Sequence, residues 1–366
     1  MTPLCILHSE AATSFGGQEQ YIYRMMLAMR EHGHYLEAVC QPHALLTERL
    51  RAEGFTVHTT FMDGPANYFR SVAGIREILA AGEFDVLNCH SRRDTVIAAA
   101  AGRLAGTPLI VRTRHLANRV GSLLSYTIMP HRVIAASDFV RNHLIERGVP
   151  PGYVATVYPA VELQEAPQQS TLRTELGLAA DDIVVGCVAV MRAQKGHRDL
   201  IDAIEPLIRQ RTNVHLVLVG GGSPVFEEIQ AYSDSKNLQG RVHMLGARRD
   251  VPNLLAGFDI FALATQKEAS GTVFVEAGAA GLPVIGTNVD GVPEMMQAGI
   301  SGLLVPLKDQ AALTAALEKL IDDPGLRRKM GQAGIQFCRS SGRFGSEAMV
   351  QRIESCYARW LAERRA

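Results

Sequence analysis

No stretch of this chain approaches 18 uninterrupted apolar residues, because Arg103 breaks the longest alanine-rich run. A membrane-spanning helix is therefore not expected. Net charge is also missing: 37 Lys and Arg balance 37 Asp and Glu, so bulk charge gives no reason to expect nucleic acid as a partner. The six cysteines (Cys5, Cys40, Cys89, Cys187, Cys338, Cys356) form no C-x-x-C pair. Several sit in apolar strand-like runs, where Cys acts as a small hydrophobe. That pattern fits a reducing compartment and argues against zinc. G-x-G-x-x-G and G-x-x-x-x-G-K-[ST] are both absent, which removes support for a nicotinamide cofactor or a P-loop. The opening residues lack a basic region and read as a buried first strand, not a signal peptide.

Short β-rich runs alternate with amphipathic helical runs, the pattern of parallel α/β sheets. In the first half, strands are expected at 4–7, 35–40, 85–89, 108–112 and 132–135. Helices are expected at 19–30, 45–53, 68–80, 94–104 and 139–147, with an N-cap at Ser137-Asp138 for the last. Around 159–170 Pro, Gln and Glu dominate, which reads as a linker. A second series follows, with strands at 183–190, 214–219, 242–245, 260–264 and 283–286 and helices at 199–210, 225–235, 251–256, 272–280 and 310–321. The expected organisation is two facing doubly wound domains, 1–165 and 166–344. The last helix, 345–366, returns to complete the first. Ligands are expected beyond the carboxyl ends of the strands, in an inter-domain cleft.

The most informative segment runs from Glu268 to Val284. Two carboxylates, Glu268 and Glu276, stand either side of a small-residue turn, Ala269-Ser270-Gly271, that opens a helix near Thr272. Such a turn lets backbone N–H groups approach a ligand, and a helix start aims its free N–H groups at an anion. A carboxylate beside a phosphate would repel it. Glu276 is better matched to a pair of sugar hydroxyls, from which an ionised carboxylate accepts two hydrogen bonds. Glu268 can do the same at the ligand's other end. Hydroxyl, phosphate, hydroxyl is the pattern of a nucleotide-sugar. The plainer reading is a capped surface helix bearing one exposed Glu.

Other strand-to-helix turns add weight. Gly16-Gly17 follow the first strand and offer backbone N–H groups to a phosphate or hydroxyl, while Glu19 is read as a helix cap. Arg192 and Lys195 follow the first strand of the second domain, where cations stabilise charge growing on a diphosphate leaving group. Gly220-Gly221-Gly222 form a second glycine-rich turn. His115 ends a first-domain strand, and could hydrogen-bond a sugar hydroxyl or shuttle a proton. His90-Ser91 end another strand of that domain. From Asn88 to Arg147 there are nine arginines and three acids. Beside them lies the apolar stretch 120–129. This locally basic surface suits an anionic acceptor or an anionic membrane surface.

In combination these motifs resemble the retaining group 1 (family 4) glycosyltransferases of GT-B architecture. The resemblance is carried by Glu268-x7-Glu276 followed by Ala277-Gly278-Ala279-Ala280-Gly281-Leu282-Pro283-Val284-Ile285. Gly16-Gly17-x-Glu19, 242–246, 259–263, Gly291-Val292-Pro293-Glu294 and 302–305 add support. It implies that Glu276 binds the donor ribose, that Glu268 contacts the donor sugar, and that Gly271, Thr272 and Val273 present backbone to diphosphate and sugar. It further implies that Lys195 binds the diphosphate, that Gly16 and Gly17 lie near phosphates and acceptor, and that His115 lies near the donor sugar. The catalytic set is thus His115, Glu268, Lys195 and Arg192; Gly221 joins the donor-binding set. Three positions depart from the family pattern. Val190 stands where the family has Arg, with Arg192 two residues later; Ser270 replaces an aromatic; Asp290 replaces a Gly.

The resemblance implies transfer of a sugar from a nucleotide diphosphate donor, UDP favoured over GDP, to a hydroxyl of a glycan or lipid-linked acceptor in surface polysaccharide or lipopolysaccharide synthesis. Retention of configuration, no required metal and no permanently bound cofactor are implied with it. The expected location is cytoplasmic, with peripheral contact at the inner face of an anionic membrane. Two rival readings are a nucleotide-sugar 2-epimerase of similar fold and a non-catalytic nucleotide-sugar-binding assembly subunit.

Overall fold

In the computed structural model, residues 2–161 and 169–365 are described. The centre of the expected linker, 162–168, lies outside them. Two compact units emerge. The first joins Met1–Ala160 to Gly345–Ala366, and the second is Val161–Phe344.

The first unit contains β1 (Cys5–Glu10), α1 (Gly17–Glu31), β2 (Tyr35–Cys40), α2 (Leu45–Ala52), β3 (Thr56–Thr59), α3 (Pro65–Ala81), β4 (Val86–Cys89) and α4 (Arg92–Ala105). It continues through β5 (Leu109–Arg114), α5 (Leu124–Thr127), β6 (Arg132–Ala135), α6 (Asp138–Glu146) and β7 (Val154–Thr156). Its seven strands lie in the order β3-β2-β1-β4-β5-β6-β7, every pairing parallel. Both faces are covered, so β4 and β5 are buried along their whole length, as parallel sheets require.

The second unit contains α7 (Leu172–Leu176), β8 (Ile183–Val188), α8 (His197–Gln210), β9 (Val214–Val219), α9 (Val225–Ser235), β10 (Val242–Met244), α10 (Val251–Ala256) and β11 (Ile260–Leu263). There follow α11 (Thr272–Ala279), β12 (Val284–Thr287), β13 (Gly302–Val305), α12 (Gln310–Asp322) and α13 (Pro324–Ser340). Six parallel strands lie in the order β10-β9-β8-β11-β12-β13. Helix α8 buries Leu200, Ile201, Ile204, Leu207 and Ile208 on one stripe, the 3.6-residue periodicity of a helix packed on a sheet.

Strands β3, β7 and β13, the single-turn helices α5 and α7, and helix α13 go beyond the expected elements. The three strands are four residues or fewer and all stand at sheet edges. Helix α13 carries Gly331 and Gly334 in its interior, and glycine lowers helix propensity. Here close packing requires it, since a Cβ on Gly331 would lie 1.9 Å from the Gly281 carbonyl oxygen behind α11.

The final helix, α14 (Ser346–Arg365), packs on α1 in the first unit. Trp360 and Tyr357 are buried there with Met25, Met26 and Met29 of α1. Asn88 Nδ2 donates to the Tyr357 hydroxyl at 2.9 Å, while Thr113 Oγ1 donates to Asn88 Oδ1 at 2.9 Å. All six thiols are free. Among the described residues no helix is long and apolar enough to cross a membrane.

Tyr357→Phe would leave the Asn88 amide buried with an unmet donor. The expected loss is about 1–3 kcal/mol, read from denaturant unfolding followed by emission of Trp360, the chain's single tryptophan.

Candidate functional site

Each sheet reverses its winding beside its first strand, at β1/β4 in the first unit and β8/β11 in the second. Such reversals open a crevice at the carboxyl ends of the strands. The candidate residues gather at these two places.

In the second unit, Lys195 follows β8 and Glu268 follows β11. Their side chains form a close ion pair and are only 19% and 16% exposed. The two loops are tied by backbone: Gln266 N–H donates to the Gln194 carbonyl at 2.7 Å. Glu268 is held at both backbone ends. Its N–H donates to Asp290 Oδ2 at 3.0 Å, and its carbonyl accepts from Gly291 N–H at 3.0 Å. Asp290 adopts φ +47°, a left-handed conformation that Asp tolerates better than most residues. The departure from glycine at 290 therefore keeps the backbone shape and adds a carboxylate that fixes Glu268.

Gly271 caps α11 with φ +53°. A Cβ there would lie 3.0 Å from the Phe274 ring and 3.1 Å from Glu268 Cγ. No side chain caps this helix, and the N–H groups of Thr272 and Val273 have no partner among the described residues. Glu276, one turn on and half-buried, shares the face of Thr272. The turn is anchored from below by Phe274, packed edge-on against Phe261 of β11 with ring centroids 5.6 Å apart. Arg192 is exposed just ahead of Lys195, as is Val190. Gly221 is tied into the β8–β9 end by its carbonyl, which accepts from Met191 N–H at 2.9 Å.

In the first unit the structure unites three imidazoles that the sequence presents far apart. His8 Nδ1 lies 3.0 Å from His90 Nε2, and His90 Nδ1 lies 3.1 Å from His115 Nε2. The rings stack with centroids 5.3 Å apart at both steps. They cross the carboxyl ends of β1, β4 and β5. Burial pushes His8 and His115 down to about 3, with the Arg112 cation adding to the effect at His115. His90 is held well below its ordinary value by burial and by its two neighbours. All three are therefore neutral near pH 7.

Beside them lie two buried acids that sequence reading passes over. Asp94 accepts from Ser9 Oγ at 2.8 Å, from His90 N–H at 2.8 Å, from Ser91 N–H at 2.6 Å and from the Ser91 hydroxyl. Glu10 accepts from Ala12 N–H at 2.8 Å and from Gln18 Nε2. Burial, and then the charge of Asp94, push Glu10 up to about 8. The signal that was available is Ser91-x-x-Asp94, a capping-box spacing at the start of α4. Nothing in sequence spacing links it to Glu10.

Of the paired glycines, Gly16 donates its N–H to Glu19 Oε2 at 2.6 Å, while the Gly17 N–H has no partner among the described residues. One first-unit expectation is corrected, that of the arginine-rich segment. The arginine-rich segment is not one solvated basic face. Arg112 and Arg114 are buried, tied to Ser125 and to Tyr126 and Asn118 respectively. Arg103 donates to the carbonyls of Ile128 and Met129. Such oxygens take the terminal nitrogens of Arg112 and Arg114, while the Nε of each is buried with no partner among the described residues. The neighbouring stretch is split: Val120 and Tyr126 are buried, while Leu124 and Ile128 are exposed.

These shifts predict a pH-dependent stability for the first unit. The three stacked imidazoles have folded values below the unfolded one. Their contribution is complete above about 6.5 and is lost as pH falls toward 3. Glu10 has a folded value raised above the unfolded one. Its contribution is complete below about 4.3 and is lost as pH rises through about 8. Glu10→Gln should therefore flatten the fall in Tm between pH 6 and pH 9, measured by Trp360 emission. An unchanged slope would remove Glu10 as its source.

Both units of the chain match known protein families. Residues 15–165 match the model of Glycosyltransferase Family 4, and residues 168–337 match that of Glycosyl transferases group 1. N-acetyl-alpha-D-glucosaminyl L-malate synthase of Bacillus anthracis is 30% identical over 227 residues, 62% of this chain and 58% of that protein. The UDP-Gal:alpha-D-GlcNAc-diphosphoundecaprenol alpha-1,3-galactosyltransferase of Escherichia coli is 26% identical over 273 residues, 69% of this chain and 70% of that one. The chain thus spans little more than half the length of the first of these relatives. Among solved structures, a glycosyltransferase from Rickettsia africae ESF-5 superposes with TM-score 0.90 at 20% identity, covering 99% of both chains. Anabaena Alr3699/HepE in complex with UDP and glucose superposes with TM-score 0.83 at 22% identity, covering 97% of this chain and 99% of that one. With both of its units matched in sequence and its two parallel sheets matched in fold, the chain belongs to the group 1, family 4-type glycosyltransferases of GT-B architecture.

Proposed function

We propose that this glycosyltransferase moves a sugar from a UDP-sugar to a hydroxyl of a glycan or lipid-linked acceptor, with retention of anomeric configuration, in surface polysaccharide or lipopolysaccharide synthesis. The observation that carries the donor half is the uncapped start of α11, flanked by Lys195–Glu268 on one side and Glu276 on the other. The N–H groups of Thr272 and Val273 and the Lys195 ammonium meet the diphosphate, with Arg192 as a second cation. Gly271 lets that backbone approach, and Gly221 borders the nucleotide. Glu276 accepts from the ribose hydroxyls. Glu268 accepts from sugar hydroxyls and, through its ion pair, orients Lys195. In this reading the second unit is the donor domain and the first the acceptor domain, with Gly16 and Gly17 near phosphates and acceptor and His115 near the donor sugar. UDP is favoured because the Anabaena neighbour is in complex with it and the Escherichia coli relative is named for UDP-Gal.

For the acceptor, the supporting observation is a cavity of about 640 Å³ in the first unit, lined by Met62, Tyr68, Phe69, Ile97 and Arg92 among others. Arg93 there is paired with Asp63. Arg92 has no acid partner among the described residues and also lines a smaller cavity, of about 200 Å³, with His115. An apolar group joined through phosphate to a sugar fits that sequence of surfaces. The E. coli relative is named for such a diphospho-lipid acceptor, and a Staphylococcus aureus relative for capsular polysaccharide biosynthesis. The exposed Phe69 and Phe61 would place this edge against the inner face of a membrane.

In the reaction the acceptor oxygen attacks the anomeric carbon as the bond to the diphosphate oxygen breaks. The acceptor proton passes to a departing phosphate oxygen. Lys195 and the α11 N–H groups stabilise charge that grows on the diphosphate, where electrostatic help has most effect. No metal is required in this reading, so EDTA should leave turnover unchanged.

Calorimetric titration with UDP-, GDP- and ADP-glucose tests the donor half. One nucleotide should bind best, and Glu276→Ala should cost about 1.5–3 kcal/mol of that binding. Absence of binding to all three would overturn the proposal. Conversion of donor without acceptor, followed by NMR, would instead mark an epimerase.

A further inference from the structure

The three stacked imidazoles have a direction, and that direction is decided at the end farthest in sequence from His115. A neutral imidazole has one donor nitrogen and one acceptor nitrogen. The two hydrogen bonds of the column therefore run the same way, and only two arrangements exist. In one, every ring donates from Nδ1, toward His115. In the other, every ring donates from Nε2, toward His8. His8 Nε2 is buried and has no partner. The second arrangement would strand a buried N–H at that atom; the first strands only a lone pair. Buried unpaired N–H groups are the rarer of the two in proteins.

We infer that His8 and His90 act as positioning residues which hold His115 in the Nδ1–H tautomer, making it a hydrogen-bond donor toward bound ligand and not a proton acceptor. His8 Nδ1–H donates to His90 Nε2, and His90 Nδ1–H donates to His115 Nε2. His115 Nε2 is thereby occupied as an acceptor, and its Nδ1–H has no partner among the described residues. His115 and His90 both line the smaller first-unit cavity. The Tyr21 ring of α1 packs edge-on against His115 at 4.7 Å, which limits rotation of the imidazole. The charged and titratable groups around the column are Arg112 on β5, Tyr21 on α1 and Asp94 on α4, with Glu10 on β1 beyond Asp94. Among them Asp94 is engaged by the His90 backbone and by serines, and no carboxylate hydrogen-bonds an imidazole of the column. The column is thus set by its own end and by no acid. This inference extends the proposed function only in naming what His115 offers an incoming oxygen, whether of sugar or of phosphate. The tautomer itself does not depend on that reading.

Nitrogen-15 NMR of the full-length protein labelled at histidine reads the tautomer directly, with no substrate present. The expected spectrum at pH 7 has a protonated Nδ1 and an unprotonated Nε2 for His8, His90 and His115. Protonation of His115 at Nε2 would overturn the inference. His8→Phe removes the donor that starts the column and should give a mixed or reversed tautomer at His115. It should also weaken binding of the best UDP-sugar or acceptor by about tenfold, the weight of one hydrogen bond. His8→Gln supplies an amide donor and should restore both. A His8→Phe variant with the wild-type His115 spectrum would overturn the positioning role. Should that variant fail to fold, the wild-type spectrum alone still decides. Failure of nucleotide-sugar binding, by contrast, would overturn the donor reading and leave the tautomer intact.

Discussion

A parallel sheet that winds outward in both directions from its first strand sends two neighbouring loops to opposite faces. No chain then crosses the carboxyl ends of those two strands, and the gap is left for side chains and backbone N–H groups. Both units of this protein are built that way, at β1/β4 and β8/β11. The register places the end of β1 beside the end of β4. It is this neighbourhood, and no local sequence preference, that makes His8 touch His90. The same reversal in the second unit lets Lys195, from the loop after β8, reach Glu268 in the loop after β11.

The two crevices use opposite electrostatic solutions. In the second unit a cation and a carboxylate are brought together and half-buried. Pairing offsets the cost of taking each out of water. The backbone donors at the start of α11 remain available beside them. In the first unit burial has the upper hand. Three imidazoles give up their protons, and Glu10 is pushed toward its neutral form beside Asp94. The result is a set of neutral, directional hydrogen-bonding groups, suited to reading hydroxyls, near a buried Arg112.

Much of the architecture was legible because parallel strands are buried on both faces and read as apolar runs. Strands β2, β6 and β9 and helices α9 and α10 fall on the expected residues, and most other boundaries differ by one to three residues. The elements that escaped were those whose local signal is weak. Short edge strands bury little, and α13 carries interior glycines whose reason lies in α11. The arginine-rich segment misled for a related reason. Composition counts charges but does not say which guanidiniums turn inward onto carbonyls and a tyrosine ring, as Arg112 and Arg114 do.

The candidate site divides along the same line. Glu268, Gly271, Thr272 and Glu276 lie within one turn and one helix, so their spacing alone determines that the uncapped start of α11 stands between two carboxylates. Sequence by itself also determined the alternation of strand and helix, and with it the two-unit class. The joining of Lys195 to Glu268 across 73 positions, the anchoring of Glu268 by Asp290, and the column of His8, His90 and His115 were decided only by tertiary structure. The physical reason is range. A helix turn fixes relations over three or four residues, whereas contacts between strand ends depend on the order in which the strands assemble.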